Sequence, residues 1–336
     1  MAGDTPRGDS DWEGVRLHVV TGKGGTGKTT VAAALALALA RDGRRTLLVE
    51  VEDRQGIAQL FDVPPLPYAE RRVAVGPGGG DVLALAVDPE EALLEYLEMF
   101  YHLGRAGRGL RKIGAIDFAT TIAPGMRDVL LTGKVYEAVR RRQAGRGGDP
   151  VYDAVVLDAP PTGRITRFLG VNAEVAGLAK VGPIRGQADS IMALLTSPQT
   201  AVHLVTLLEE MPVQETTDAA AELAAAGLPV GGIVVNAVRA PLLKVAELTA
   251  ASRGRLPRTE VTTGLAAAGL TVRDPGVDAL LVEAAEHAER VALEKAQRRT
   301  LKTLGRPTYE LPLLAEGVDL GGLYALAEQL CRQGMA

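Results

Sequence analysis

The chain has 336 residues, enough to bury a full α/β core with a helical subdomain besides. Its 37 Lys and Arg stand against 41 Asp and Glu, for a formal net charge of −4, and aromatics make up only 4%, which argues against nucleic acid or an anionic membrane as the main partner. A single cysteine, Cys331, excludes a disulfide framework and an all-thiolate metal site within one chain, and with no apolar leader or uncharged apolar run of about 18 residues the chain reads as cytoplasmic, without direct membrane insertion.

Residues 1–14 are polar and are expected to form a disordered tail, Trp12 notwithstanding. Residues 15–336 read as one domain, and it opens with a buried strand over Val15–Thr21. The next nine residues, Gly22-Lys-Gly-Gly-Thr-Gly-Lys-Thr-Thr30, fit G-x-x-x-x-G-K-[ST]. Gly22, Gly24, Gly25 and Gly27 let the backbone curl so that consecutive N–H groups face one concavity, which binds phosphate oxygens. Thr26 and Thr30 belong to the same cradle. Lys28 is placed to reach the β- and γ-phosphates, and the Thr29 hydroxyl to join the coordination of Mg²⁺. An Ala/Leu-rich helix from Thr29 to Asp42 follows and closes on Gly43. Lys23, at the tip of the loop, points away from its own helix. That is where a cation could meet a phosphate held by a facing subunit, as an arginine finger does.

Further strands are expected at Thr46–Glu52, Val82–Val87, Ala154–Asp158, Ala201–Leu208, Gly232–Asn236 and Tyr309–Leu311. Between the third and fourth strands of the chain, residues 89–143 show no convincing strand. Pro89–Glu98 and Arg127–Arg142 have helical period, as do residues 171–197. The expected architecture is therefore a mostly parallel sheet flanked by helices, with helical insertions at about 89–143 and 171–197 forming a subdomain on one edge. Gly76–Gly80 and Gly145–Pro150 read as loops. Residues 275–304 read as one long charged helix, its Glu286–Arg290 and Glu294–Arg298 pairs marking a solvated face. His18 and His203 lie within apolar strands and read as core or strand-end residues.

Two carboxyl ends of strands carry the remaining chemistry. Asp158 closes an apolar strand and so opens onto the ligand crevice, where a carboxylate binds Mg²⁺ through its water shell. The turn after it, Ala159-Pro-Pro-Thr-Gly-Arg164, can present the Gly163 N–H to a γ-phosphate and relax after hydrolysis. Guanine-specific phosphate-loop enzymes read their base with N-K-x-D, which is absent here. Asn236, followed by Ala237, can instead pair with the N6/N7 edge of adenine, so ATP is the expected nucleotide.

The loop with its second lysine, Lys23, resembles the deviant phosphate loop of the dimerising ATPases, a class that includes septum-positioning and partition ATPases, nitrogenase iron protein and anion-transporting ATPases. Asp158-Ala-Pro-Pro-Thr-Gly-Arg-Ile-Thr-Arg-Phe-Leu169 resembles the D-T-A-P-T-G-H-T-L-R-F-L switch of the last of these, the arsenite-pump and tail-anchored-protein-targeting family. Glu209–Thr216, Val234–Ala237 and Glu310–Leu314 are similar to its P-E-E-M-P-V-x-E-T, V-V-N and P-L-L blocks, in the same order along nearly the whole chain. The resemblance implies a phosphate-loop NTPase fold, ATP and Mg²⁺ as cofactors, and a dimer around two nucleotides. That dimer would be formed with itself or with a paralogous ATPase, and a membrane-protein client or a transporter is among the implied partners.

Departures from the family pattern narrow that reading. The family's first switch, D-P-A-H-N, is replaced by Glu52-Asp-Arg-Gln-Gly56, so Glu52 falls where the family has the aspartate that orients the attacking water. Glu50 and Glu52 are expected on one face of the strand end, so either could bear on the phosphates. Because near-attack geometry tolerates little displacement, the longer side chain predicts slow hydrolysis. Arg164 replaces the family's histidine. One cysteine supplies neither the arsenite thiol site, nor the C-x-x-C zinc clamp of the targeting dimers, nor the two cluster ligands of a nitrogenase-type reductase. Residues 171–197 carry a single methionine, Met192, so no Met-rich client groove is expected.

The leading expectation is a Mg²⁺-dependent ATPase acting as a nucleotide-sandwich switch, with Lys23, Lys28, Glu52 and Asp158 as its catalytic residues. A nucleotide-gated, weakly hydrolysing binding subunit of a paired complex is the second reading. A partition or septum-positioning ATPase is the third, and it requires a basic amphipathic C-terminal helix that Leu320–Arg332 does not provide.

Overall fold

The computed structural model describes residues 11–52, 54–101, 125–143, 148–178 and 183–336. Over these, eight strands form one sheet: β1 (Leu17–Gly22), β2 (Arg45–Glu50), β3 (Arg71–Val75), β4 (Asp81–Ala86), β5 (Ala154–Asp158), β6 (Thr200–Thr206), β7 (Val230–Val238) and β8 (Thr308–Pro312). Their order is β3-β4-β2-β5-β1-β6-β7-β8, all parallel except β3 against β4. Eleven helices pack around them. These are α1 (Lys28–Leu39), α2 (Gly56–Leu60), α3 (Pro89–Tyr101), α4 (Met126–Arg140), α5 (Thr162–Leu178), α6 (Pro183–Leu195), α7 (Glu210–Ala225), α8 (Val245–Ala251), α9 (Arg258–Ala267), α10 (Asp274–Lys302) and α11 (Leu320–Arg332). Strand and helix alternate as in a doubly wound phosphate-loop NTPase, which puts the carboxyl ends of the parallel strands on one rim.

The central strands are apolar on both faces because both faces are covered. On one face Leu17, Val19, Leu47, Val49, Val155 and Leu157 meet apolar residues of α3 to α7. On the other, Val20, Leu48, Val156 and Val205 meet α1, α2 and α11. Val31 through Ala38 in α1 are fully buried, because the helix lies between the sheet and Leu323, Leu326 and Leu330 of α11. A helix that is apolar all round belongs in such a place, and alanine lets both neighbours approach closely.

Several expectations are corrected. The eighth strand, β3, escapes a reading by apolar runs because it is a mostly exposed antiparallel edge strand, with Arg72 paired to Asp81 at 2.7 Å. β2 stops at Glu50, two residues early, while β7 runs on to Val238 through Ala237 at φ 53° and a shift in register. The helix α4 does not sit at an edge of the sheet. Its Leu130, Leu131 and Val135 share a core with Val155 and Leu157 of the central strand β5, and Asn172 of α5 donates to Thr132 of α4 at 2.8 Å. Residues 102–124 of the first insertion, 179–182 of the second and 145–147 of the 145–150 loop lie outside the described residues.

Residues 11–14, expected in the tail, are held. The Asp11 N–H donates to the Gly334 carbonyl at 3.0 Å, the Trp12 indole donates to the Tyr309 hydroxyl at 3.0 Å, and that hydroxyl donates to Asp11 at 2.6 Å. The long helix α10 is not simply a solvated face either. Glu294 receives Arg290 and Arg298, and Arg298 goes on to Glu310 of β8 at 2.7 Å, tying helix to sheet.

Candidate active site

Gly22 ends β1 where a Cβ would lie 2.2 Å from the Val205 carbonyl oxygen, so no larger residue fits. The chain then curls through left-handed Gly25 (φ 88°) and Gly27 (φ 84°). The Thr26 hydroxyl closes the loop by donating to the Lys23 carbonyl at 2.8 Å. Nothing lies within 4 Å of where a Cβ would stand on Gly24 or Gly25, so this stretch of backbone borders open space. Lys28, Thr29 and Thr30 form the first turn of α1, whose N–H groups lack intrahelical acceptors and whose dipole favours an anion. Lys28 is buried at the root of the loop.

Across the loop stands Asp158, at the end of β5 between Val20 of β1 and Glu50 of β2. The Thr29 hydroxyl donates to its Oδ2 at 2.7 Å, while its buried Oδ1 has no hydrogen-bond partner among the described residues. Burial pushes the Asp158 carboxyl up to about 6, and the charge of Glu52 adds to that. The Thr29 hydroxyl and the Lys28 ammonium oppose the shift. A hydroxyl and a carboxylate with an idle buried oxygen, facing a phosphate cradle, fit Mg²⁺, which takes few protein ligands and keeps its waters. The turn after Asp158 is anchored to β1, since Ala159 N–H donates to the Val20 carbonyl at 3.0 Å and the Thr21 hydroxyl to the Pro160 carbonyl at 2.6 Å. Gly163 is the second residue of α5, in the first turn, where N–H groups have no intrahelical partner.

The two carboxylates of the first switch part company. Glu50 is buried and its Oε1 accepts the Gly56 N–H at 2.8 Å, so it anchors the start of α2. Glu52 lies beyond the strand end, about a quarter exposed, with Arg54 at 4.0 Å and Asp158 within electrostatic reach. Asp53 lies outside the described residues. Asn236 stands behind the loop, its Nδ2 donating to the Thr26 carbonyl at 2.9 Å. A Cβ on Gly27 would come within 2.3 Å of the same atom. Asn236 therefore braces the phosphate loop, a contact that sequence reading did not anticipate.

Lys23 does not point to solvent. Its Nζ meets Glu215 of α7 at 2.8 Å, and the other oxygen of that carboxylate accepts the Thr162 hydroxyl at 3.3 Å. Sequence reasoning matched the block containing Glu215 to a family motif but gave the residue no role. Among the described residues no group of three or more His, Cys, Asp or Glu gathers as a metal site, and no helix is long and apolar enough to cross a membrane.

Comparison with known proteins agrees with this geometry. The profile of the anion-transporting ATPase family matches residues 15–196, which spans the loop, the first switch and the Asp158 turn. ATPase BagA of Mycobacterium tuberculosis is 55% identical over 322 residues, covering 96% of this chain and 94% of that protein. ATPase GET3 of Kluyveromyces lactis is 26% identical over 255 residues, 66% of this chain and 71% of that one. The arsenical pump-driving ATPase of Escherichia coli is 25% identical over 270 residues, 76% of this chain and 42% of that one. With the family profile matching more than half of the chain and a 55% identical ATPase matching 96% of it, the chain belongs to the anion-transporting ATPase family and is an ATP-hydrolysing enzyme.

Proposed function

We propose that the enzyme hydrolyses Mg²⁺-bound ATP in the cytoplasm as a nucleotide-sandwich dimer and uses hydrolysis as a conformational switch. The observation that carries this reading is the Thr29–Asp158 hydrogen bond with the idle, buried Asp158 Oδ1 beneath an open glycine cradle. Thr29 and Asp158 would hold Mg²⁺, which when bound neutralises charge between the β- and γ-phosphates. The N–H groups of Gly24 to Thr30 bind the phosphate oxygens, Lys28 stabilises the charge that builds toward ADP, and the Gly163 N–H meets the γ-phosphate. Glu52 orients a water in line with the γ-phosphorus, and Asn236 holds the loop while meeting the adenine edge. Lys23 acts across the dimer, on the phosphates of the facing subunit. The protein's share of catalysis is positioning and electrostatics, because phosphoryl transfer needs little covalent help.

Glu52 on its longer side chain, outside the strand, favours a second reading in which the chain hydrolyses slowly alone and gates a paired complex with a paralogous ATPase. The partition or septum type is disfavoured, because α11 packs its apolar face on α1 and carries no free basic stripe. A membrane-protein client or a transporter is a partner that fits the family, and GET3 and arsenical-pump relatives are the basis for naming it.

The test is ATP turnover by the pure chain across protein concentrations. Lys28→Ala should lose ATP binding. Mixing Lys23→Ala with Glu52→Gln subunits, each inactive alone, should restore some turnover, because one composite site then holds both an intact Lys23 and an intact Glu52. Unchanged ATP affinity in Lys28→Ala sinks the phosphate-loop reading. Turnover per subunit that is independent of concentration, in a protein that stays monomeric with ATP, sinks the dimer.

A further inference from the structure

Glu215 lies in the second turn of α7, a helix that contributes none of the residues assigned above to nucleotide. Its carboxylate is nevertheless shared between two segments the reaction uses. One oxygen is 2.8 Å from Lys23 Nζ at the tip of the phosphate loop, and the other accepts the hydroxyl of Thr162, which opens α5 just after the Asp158 turn. The Thr26 hydroxyl holds the Lys23 carbonyl, and Glu215 holds its ammonium. A lysine held by a glutamate of its own subunit cannot at the same time reach a phosphate on another, so closure of the dimer has to exchange carboxylate for phosphate.

From this geometry we infer that Glu215 is a positioning residue that keeps Lys23 in cis, tied to the Asp158 switch through Thr162, until the nucleotide of a second subunit displaces it. The inference rests on the dimer reading above. Both partners are about a third exposed, at 31% and 38%, so the pair is partly screened and each latch is worth about two- to fivefold in an equilibrium. A symmetric dimer opens two latches. The factor is then squared, to about four- to twenty-five-fold in the protein concentration at which turnover per subunit is half-maximal.

Glu215→Gln keeps the shape and removes the charge, and at a partly exposed site it leaves the core untouched. Turnover at saturating Mg²⁺–ATP would be followed against protein concentration for the wild type, Glu215→Gln and Glu215→Asp. ATP affinity would be measured separately on dilute protein. Glu215→Gln should lower the half-maximal concentration by that factor and leave the dilute-protein ATP affinity unchanged. It should also remove the part of the wild-type concentration dependence that salt screens. Glu215→Asp, which keeps the charge, should move back toward the wild type. If wild-type turnover depends on concentration but Glu215→Gln leaves the half-maximal concentration unchanged or raises it, the latch is wrong and the dimer stands. If wild-type turnover is independent of concentration and the protein stays monomeric with ATP, both fall.

Discussion

Acidification acts on a pair of imidazoles buried in adjacent central strands. The Gly232 N–H donates to His203 Nδ1 at 3.1 Å, which fixes the single proton of neutral His203 on Nε2. That nitrogen faces His18 Nδ1 at 3.1 Å, so His18 in turn carries its own proton on Nε2. The rings stack at 5.3 Å between centroids, Trp12 meets His203 edge-on, and both imidazoles are buried, so an added charge is poorly solvated. Burial holds His18 down at about 4, against a backbone hydrogen bond at Val15 that raises it, and burial holds His203 well below its usual value, with the charge of His18 lowering it further. Both are therefore neutral in the fold and titrate near 6.5 only in the unfolded chain, which binds the extra protons. Stability from this pair is complete above about pH 6.5 and is lost as pH falls toward 4, where His18 begins to protonate in the folded protein. With His18 at about 4, the step from about pH 6.5 to about pH 5.5 removes about 1 kcal/mol through His18, and His203 acts in the same direction. Asp158, raised to about 6, titrates in the same window with the opposite sign, so urea unfolding of nucleotide-free Asp158→Asn at several values in that window measures the histidine contribution. Adding His203→Gln should lower stability at neutral pH and flatten the slope. A stability of Asp158→Asn that stays flat through the window refutes the neutral, fixed-tautomer assignment.

Glu52→Gln should leave ATP affinity near the wild type and lower turnover about 10²-fold, trapping the ATP-bound dimer; equal turnover in a steady-state assay would hand the leading role to the binding-subunit reading. Asn236→Ala removes the brace on the Thr26 carbonyl as well as an adenine contact, so ATP affinity should fall about tenfold by titration calorimetry and the preference over GTP should narrow, whereas an unchanged preference would assign Asn236 to the loop alone. Gly22→Ala forces a methyl against the Val205 carbonyl and should lower stability by about 1–3 kcal/mol in urea while weakening ATP binding; tolerance of the substitution would mean that β1 and β6 are less closely apposed than the structure has them.

The parts that sequence alone determined are those whose chemistry is local. A glycine-rich loop between an apolar strand and an alanine-rich helix has one economical meaning, because closely spaced glycines and a lysine at that spacing are what a phosphate cradle needs. Continuous apolar runs identified the buried parallel strands for the same reason: both faces must be covered. Sequence did not reveal β3, because an exposed edge strand needs no apolar pattern, nor the end of β2, because pairing with β4 and β5 stops at Glu50 while the chain's composition does not change there. It also could not show what the charged and polar side chains do at long range. Lys23 read as a cation for a facing subunit, Glu294 and Arg298 as a solvated pair, and Asn236 as a base reader. Each also finds a partner within the chain, brought from a distant segment: Glu215, Glu310 and the Thr26 carbonyl. Such contacts leave no periodic trace, since a single ion pair or hydrogen bond constrains one residue at each end and nothing between them. Only the folded sheet and its covering helices bring those ends together.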